Sequence, residues 1–318
     1  MTVEITKEFI KNKTILITGG AGFIGSSIAE RICDDNKVIV LDDLSSGSKE
    51  NLSGLDVDFR QGHTSKIDEL VPEKVDLILH LGIASTTVYY LDDRTLVGKE
   101  INGSIAVFEK AVKDNAKIVI ASSSSIYNKG DFPSKESQEV KVTDFYTECR
   151  LCIERLAELY SVLHGMRAVC LRMFAVYGGL REKDKTRFAN MVTKFIWQMM
   201  EGKNPVSYGD GTQTRDFTYI DDIVDCWLLS AIWDKSKFEI FNLGTGKEYD
   251  FNTVGDIINK VIGTNLEMQY EPNPLPNFVF RAWADTEKAE KSLSFRAKIT
   301  LEQGVTKLYE EALKDKKL

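Results

Sequence analysis

Residues 14–25 read TILITGGAGFIG: an apolar run, then Gly19, Gly22 and Gly25, then the start of another apolar segment. The spacing predicts a strand, a tight turn and a helix. Glycine suits such a turn because the backbone needs dihedrals that a side chain obstructs, and because neighbouring backbone must approach closely. The helix start then aims free N–H groups and the positive end of its dipole at whatever the turn cradles, which favours a phosphate. Twenty residues beyond Gly22, the apolar run KVIVLD ends in Asp42. A strand-end carboxylate at that distance is placed to accept hydrogen bonds from a ribose. The alternative is a tight turn with an unrelated aspartate, which gives no reason for the spacing.

Outward from this unit, apolar runs recur at Val75–Leu81, Lys117–Ser122 and Arg167–Met173, with helical patterns near 23–33, 96–115 and 144–164. The runs are continuous rather than alternating, as strands are when both sheet faces are covered. This predicts an α/β fold of Rossmann type, a doubly wound parallel sheet. Past Tyr177 the rhythm changes: a helix near 186–201, a turn-rich stretch, a strand at 239–242, a helix from Thr253, a strand at 266–271 and the proline-rich EPNPLPNFVF. Residues 1–176 are expected to bind the dinucleotide and to receive parts of about 215–242. Residues 177–318 are expected to form most of a smaller α/β substrate lobe.

The 318 residues carry a net charge of -7, with 43% hydrophobic residues. No apolar run reaches the ~18–20 residues of a membrane span, and the opening stretch lacks signal-peptide architecture. No basic stretch offers a footprint for nucleic acid. A cytoplasmic protein without membrane or nucleic-acid partners is expected. Three histidines and five cysteines are too few and too scattered for a metal site, and none is expected. Cys149 and Cys152 read C-x-x-C but fall inside a helical pattern, where two packed thiols are the plainer reading against redox chemistry.

Asp42 favours NAD over NADP, because a 2′-phosphate would meet its carboxylate and no arginine follows at 43–46. Taken together, GGAGFIG, LDDLSSG, ASSSSIY, Tyr146 four residues before a basic residue, LRMFAVYG and GDGTQTRDFTYIDD resemble the extended short-chain dehydrogenase/reductase superfamily. They are most similar to its NAD-dependent nucleotide-sugar epimerases, of the UDP-glucose 4-epimerase type. The resemblance spans nearly the whole chain and implies NAD as cofactor and a nucleotide sugar as substrate. It places Gly19, Gly22, Phe23, Ile24 and Gly25 at the pyrophosphate, and Asp42, Asp43, Leu44, Ser46 and Gly47 around the adenosine ribose. His63 and Thr64 take the place of an adenine-side aspartate; a surface-loop histidine is the competing reading. Leu81, Gly82, Ile83, Ser85 and Phe174 complete the cofactor set.

The chemistry needs a base for a hydroxyl proton while hydride leaves the same carbon. A tyrosine, ordinarily titrating near ~10, serves only if a neighbouring cation favours its phenolate. Tyr146 and Arg150 are spaced i, i+4 and share a helix face. Ser123, at a strand end, is placed to hold the substrate oxygen. The resemblance assigns this Ser–Tyr–cation trio as catalytic, yet implies lysine where Arg150 stands. Arginine keeps the charge and can hydrogen-bond the cofactor ribose, but it cannot relay a proton. Two further departures are Ala175 and Glu100, where the family has asparagines.

On the substrate side, the resemblance implies Arg215 as a diphosphate clamp, with a plain ion pair to Asp216 as the alternative, and Asn190 on the nucleotide-binding helix. A second family arginine aligns with Leu275, so Arg281 is the substitute candidate. Ala282 falls on the sugar's C2 side, where a methyl group leaves space for an N-acetyl substituent. The expected reaction is C4 epimerisation through a 4-keto sugar. A net dehydrogenase or reductase is the alternative, and a weakly active NAD-binding homologue a third. Ser124 and Ser125 replace the acidic residues that dehydratases and decarboxylases of the superfamily carry. A homodimer through helices near 96–115 and 144–164 is also expected, from stripes including Phe108, Val112, Ile153 and Leu156.

Overall fold

The computed structural model describes residues 10–182, 189–273 and 279–315. Six strands lead the chain: β1 (Thr14–Thr18), β2 (Lys37–Asp42), β3 (Val57–Gln61), β4 (Leu77–His80), β5 (Lys117–Ser123) and β6 (Arg167–Met173). Between them run helices α1 (Phe23–Ile32), α2 (Ile67–Leu70), α3 (Thr87–Asp92), α4 (Leu96–Asp114) and α5 (Phe145–His164). The chain then makes β7 (Val176–Tyr177), α6 (Met191–Met200), β8 (Val206–Tyr208), β9 (Thr214–Arg215), β10 (Thr218–Tyr219) and α7 (Ile220–Ile232). It returns as β11 (Phe238–Leu243), followed by β12 (Tyr249–Asp250), α8 (Phe251–Ile262), β13 (Gln269–Glu271), α9 (Glu287–Leu293) and α10 (Leu301–Asp315).

The main sheet has seven strands in the order β11-β6-β5-β4-β1-β2-β3, each pair parallel. The chain winds outward from β1 to β3 and then restarts at β4 on the other side of β1. That reversal leaves a crevice at the carboxyl ends of β1 and β4, where open α/β sheets bind ligands. The continuity of the apolar runs now has its cause. Ile15 and Ile17 enter one core with α1 and α7, while Leu16 enters the other with α4 and α5. Alternate residues of one strand thus bury on opposite faces, each contributing about 1.5–3 kcal/mol.

The core on the α1 side runs on without a break into Phe195, Phe251, Val254, Leu301 and Val305. The C-terminal elements therefore pack on the sheet rather than standing apart from it. Three short pairings complete the structure: β7 with β10, β8 with β13, and β9 with β12. Strand β4 is shorter than the expected 75–81, and α8 begins at Phe251, two residues before Thr253. The first residues of the helix expected from 186, and Leu275, lie outside the described residues. Among the described residues no helix is long and apolar enough to cross a membrane, and no cluster of metal-ligating side chains occurs.

Candidate active site

A cavity of about 370 Å³ opens at the crevice. Its floor is the glycine loop, and the glycines show why. A Cβ on Gly19, whose φ is +68, would lie 2.7 Å from Gly82 N; one on Gly25 would lie 2.7 Å from Gly20 Cα. Gly22 caps α1 without a side-chain bond, so the helix end faces the cavity unobstructed. A bare backbone turn beneath a helix N-terminus fits a dinucleotide pyrophosphate.

Asp42 and Asp43 line the next part of the cavity. The buried Asp42 accepts hydrogen bonds from Ala21 N at 2.9 Å and Leu44 N at 2.8 Å, so it braces the glycine loop while lining the cavity. Burial raises its carboxyl above the usual range, against those two bonds. Burial also acts to raise Asp43, but the Ser45 bonds and Lys99 outweigh it and the net shift is downward. Leu44 and Gly47 do not line the cavity. Gly47 instead packs on the loop: a Cβ there would sit 2.8 Å from Ala21 C. His63 lies on the cavity wall, with Ser46 and Thr64, rather than on an open surface. Its Nδ1 accepts from Ser65 N at 3.2 Å, which assigns the neutral ring's proton to Nε2.

At the far end stand Ser123, Tyr146 and Arg150, all on the wall with Leu81, Gly82, Ile83, Ser85 and Phe174. Helix α5 places Tyr146 in its first turn because Asp144 and Thr147 form a reciprocal capping box. Tyr146 packs against Tyr90, ring centroids 5.6 Å apart, and the Arg150 guanidinium lies 5.2 Å from its ring centre. Arg150 does not reach outward. Its Nη1 donates to Ala121 O at 2.6 Å, and its Nη2 to Ala84 O at 3.0 Å and Ile83 O at 3.2 Å. The buried cation therefore ties β5 to the loop after β4 and presents its charge to Tyr146 through the ring face. Ser123 Oγ accepts from Ser125 N at 3.2 Å and lies 2.8 Å from Ser125 Oγ. Cys149 and Cys152 are free thiols in α5, both raised by burial.

Across the cavity, Arg215 and Ala282 line the wall. Arg215 is not paired with Asp216, whose carboxylate accepts from Thr245 N, Thr245 Oγ1, Gly246 N and Ala284 N instead. Burial lowers the Arg215 guanidinium to about 10, still cationic at neutral pH. Asn190 and Arg281 do not line the cavity. Asn190 caps α6 through Val192 N and donates to Val176 O, while Arg281 binds Glu248 at 2.8 Å and stacks on Trp283. Their local partners explain both placements. Ser45, Thr86, Glu100, Met173 and Val279 also line the wall. Most are neighbours of expected residues; Glu100 carried its own signal in the sequence, standing where the family has an asparagine.

The model of the NAD dependent epimerase/dehydratase family matches residues 15–244. A Methanocaldococcus jannaschii protein provisionally named a UDP-glucose 4-epimerase is 34% identical over 305 residues, covering 92% of this chain and 96% of that one. UDP-glucuronic acid decarboxylase 1 of Arabidopsis thaliana is 29% identical over 94% of this chain and 69% of its own. Among solved structures, UDP-N-acetylglucosamine 4-epimerase from Methanobrevibacter ruminantium, in complex with UDP-N-acetylmuramic acid, superposes with a TM-score of 0.88 and 27% identity. That match covers 96% of this chain and 100% of that one. The chain belongs to the NAD dependent epimerase/dehydratase family, among extended short-chain dehydrogenase/reductases similar to UDP-glucose 4-epimerase, and its cofactor is NAD.

Proposed function

We propose that this protein inverts C4 of a nucleotide sugar through a transient 4-keto sugar. The observation that carries the reading is a single wall: Ser123 at the end of β5 and Tyr146 at the start of α5 share the cavity with the glycine loop. NAD, which the glycine loop and Asp42 would hold, would supply the acceptor and donor of the C4 hydride. Tyr146 takes the C4 hydroxyl proton as the carbonyl forms, and Ser123 donates to the same oxygen. The Arg150 charge favours the negative charge developing on the Tyr146 oxygen. After the sugar turns over, Tyr146 gives the proton back. No proton leaves the site, so the inability of arginine to relay one is no handicap.

In this reading residues 1–176, with the returning part of 215–242, bind NAD, and residues 177–318 supply most substrate contacts. Arg215 holds the diphosphate, and Ala282 leaves room for an N-acetyl group at C2. The acetamido sugar named for the Methanobrevibacter ruminantium relative is consistent with that space. A homodimer through α4 and α5 belongs to the same proposal. The decarboxylase among the relatives supplies the second reading, since it too would pass through a 4-keto sugar. Against it, Ser124 and Ser125 put hydroxyls, not carboxyls, on the wall after Ser123.

Proton NMR of the protein with UDP-glucose, UDP-glucuronate and UDP-N-acetylglucosamine in deuterated buffer tests these readings. The expected product is a C4 epimer free of deuterium at C4, formed best from the acetamido sugar. A strong preference for UDP-glucose would remove the Ala282 argument. A pentose with released carbon dioxide would establish the decarboxylase reading, and stoichiometric NADH a dehydrogenase.

A further inference from the structure

With NAD bound as read above, two cations share the end of the cavity near Tyr146: the oxidised nicotinamide ring and Arg150. Arg150 is 3% exposed and cannot shed its proton. Its Nε is buried without a hydrogen-bond partner, and its other donors go to backbone carbonyls. Facing it from α4 is Glu100, 6% exposed and on the cavity wall. The loop after β4 holds Arg150 here, Ile83 O and Ala84 O accepting from its Nη2 at 3.2 and 3.0 Å. Against burial, Arg150 and the Ala84 backbone both act to lower the Glu100 carboxyl. Both charged side chains are thus buried on one cavity wall.

The surrounding groups leave this balance to Glu100. Tyr90 from α3 and Cys149 from α5 are pushed up by burial and stay neutral, as does His80 at the end of β4, pushed down to about 3. Lys99, next to Glu100 on α4, is drawn to Asp43 at 3.4 Å, and the neutral His63 ring lies on that ribose side too. Burial raises the Glu100 carboxyl, while Arg150 and Lys99 pull it back towards the anion. A second cation entering the cavity acts in the same direction.

We propose that Glu100 is the counter-charge that lets the permanently cationic Arg150 share the cavity with oxidised nicotinamide, and so biases the site to hold NAD rather than NADH. The proposal rests on the reading of this cavity as the nicotinamide site. Holoenzyme is equilibrated with a known mixture of NAD and NADH, free nucleotide is removed, and the bound ratio is read from reduced-nicotinamide absorbance. Glu100→Gln, which keeps the side chain's size without its charge, and Glu100→Asn are each expected to shift the ratio towards NADH by about three- to tenfold. A purely structural role would lower occupancy of both forms alike; an unchanged ratio, or a shift towards NAD, overturns the proposal. If the wild-type chain retains neither nucleotide, the reading of the cavity fails and the inference falls with it, whereas an unchanged ratio sinks the inference alone.

Discussion

Arg150 illustrates how far a residue type determines a role and where its surroundings take over. The sequence allowed it to bond a cofactor ribose; the structure shows its Nη groups bracing three carbonyls, those of Ala121, Ile83 and Ala84. A buried carbonyl that loses its donor costs about 1–3 kcal/mol. Arg150→Met should therefore destabilise the protein by roughly 3 kcal/mol or more, with turnover lost. Arg150→Lys keeps the charge and some of the bonds, so its melting temperature should fall less and epimerisation should persist within about tenfold. Thermal melts beside NMR turnover decide this; a Met variant that melts like the wild type would refute the bracing role. Tyr146→Phe makes the complementary case. It should cut turnover by about 10²–10⁴ while bound NAD is retained, and loss of the nucleotide together with the activity would mean that Tyr146 serves binding. Arg281 and Asn190 mark the limit of reading roles from position: Glu248 and the α6 cap were available locally and captured them.

Strand β4 ends in His80, which joins three elements. Its Nδ1 lies 2.7 Å from Thr18 Oγ1 at the end of β1, and its Nε2 lies 3.0 Å from Ser104 Oγ on α4. Burial first, then the Arg150 charge, pushes its pKa down from 6.5 to about 3. Between those values the unfolded chain binds a proton that the native state refuses. The contribution of His80 is therefore present above about pH 6.5 and is lost as pH falls towards 3, by up to ~1.4 kcal/mol per unit. Urea unfolding at neutral pH and near pH 5 should show a steeper loss for the wild type than for His80→Asn, and parallel losses would exclude the titration. The same element shows what the sequence made legible. LILH announced a buried strand by continuous hydrophobicity, but not that its last residue links β1 to α4, because hydrogen-bond partners 62 and 24 residues away leave no local pattern. The two-residue strands β7, β9, β10 and β12 are too short to show any periodicity, and only the tertiary pairing defines them. Glycines, strand-end Asp42, Ser123 and Tyr146 were legible because spacing along a strand–turn–helix unit is itself local geometry.

At the scale of the molecule, a buried polar chain connects the sheet to the C-terminal part of the chain. Glu154 on α5 holds Arg172 at 2.7 Å, Arg172 holds Tyr127, and Tyr127 donates to Asn242 on β11. Asn242 in turn donates to Ser134 O, and Ser134 N to Trp283 O, beside Ala282. The cavity wall at Ala282 is thereby fixed to the helix that carries Tyr146, and that helix has an uncovered side. Phe108 and Ile153, from the stripes that suggested a dimer, lie buried against the protein's own sheet and cannot meet a partner. At its C-terminal end α5 exposes Leu159 (52%), Val162 (73%) and Leu163 (70%), while Tyr160 in the same turn packs on Phe108 of α4 with ring centres 5.4 Å apart. Three large apolar side chains clustered on one helix end favour a partner over water. If two copies pair through α4 and α5, this end of α5 is the apolar part of the contact. Light scattering should then give twice the chain mass for the wild type and one chain mass for the double variant Val162→Glu, Leu163→Glu. The variant's NAD content should stay unchanged, because those residues are remote from the cavity lining. A monomeric wild type, or a double variant that still pairs, would place the interface elsewhere or remove it.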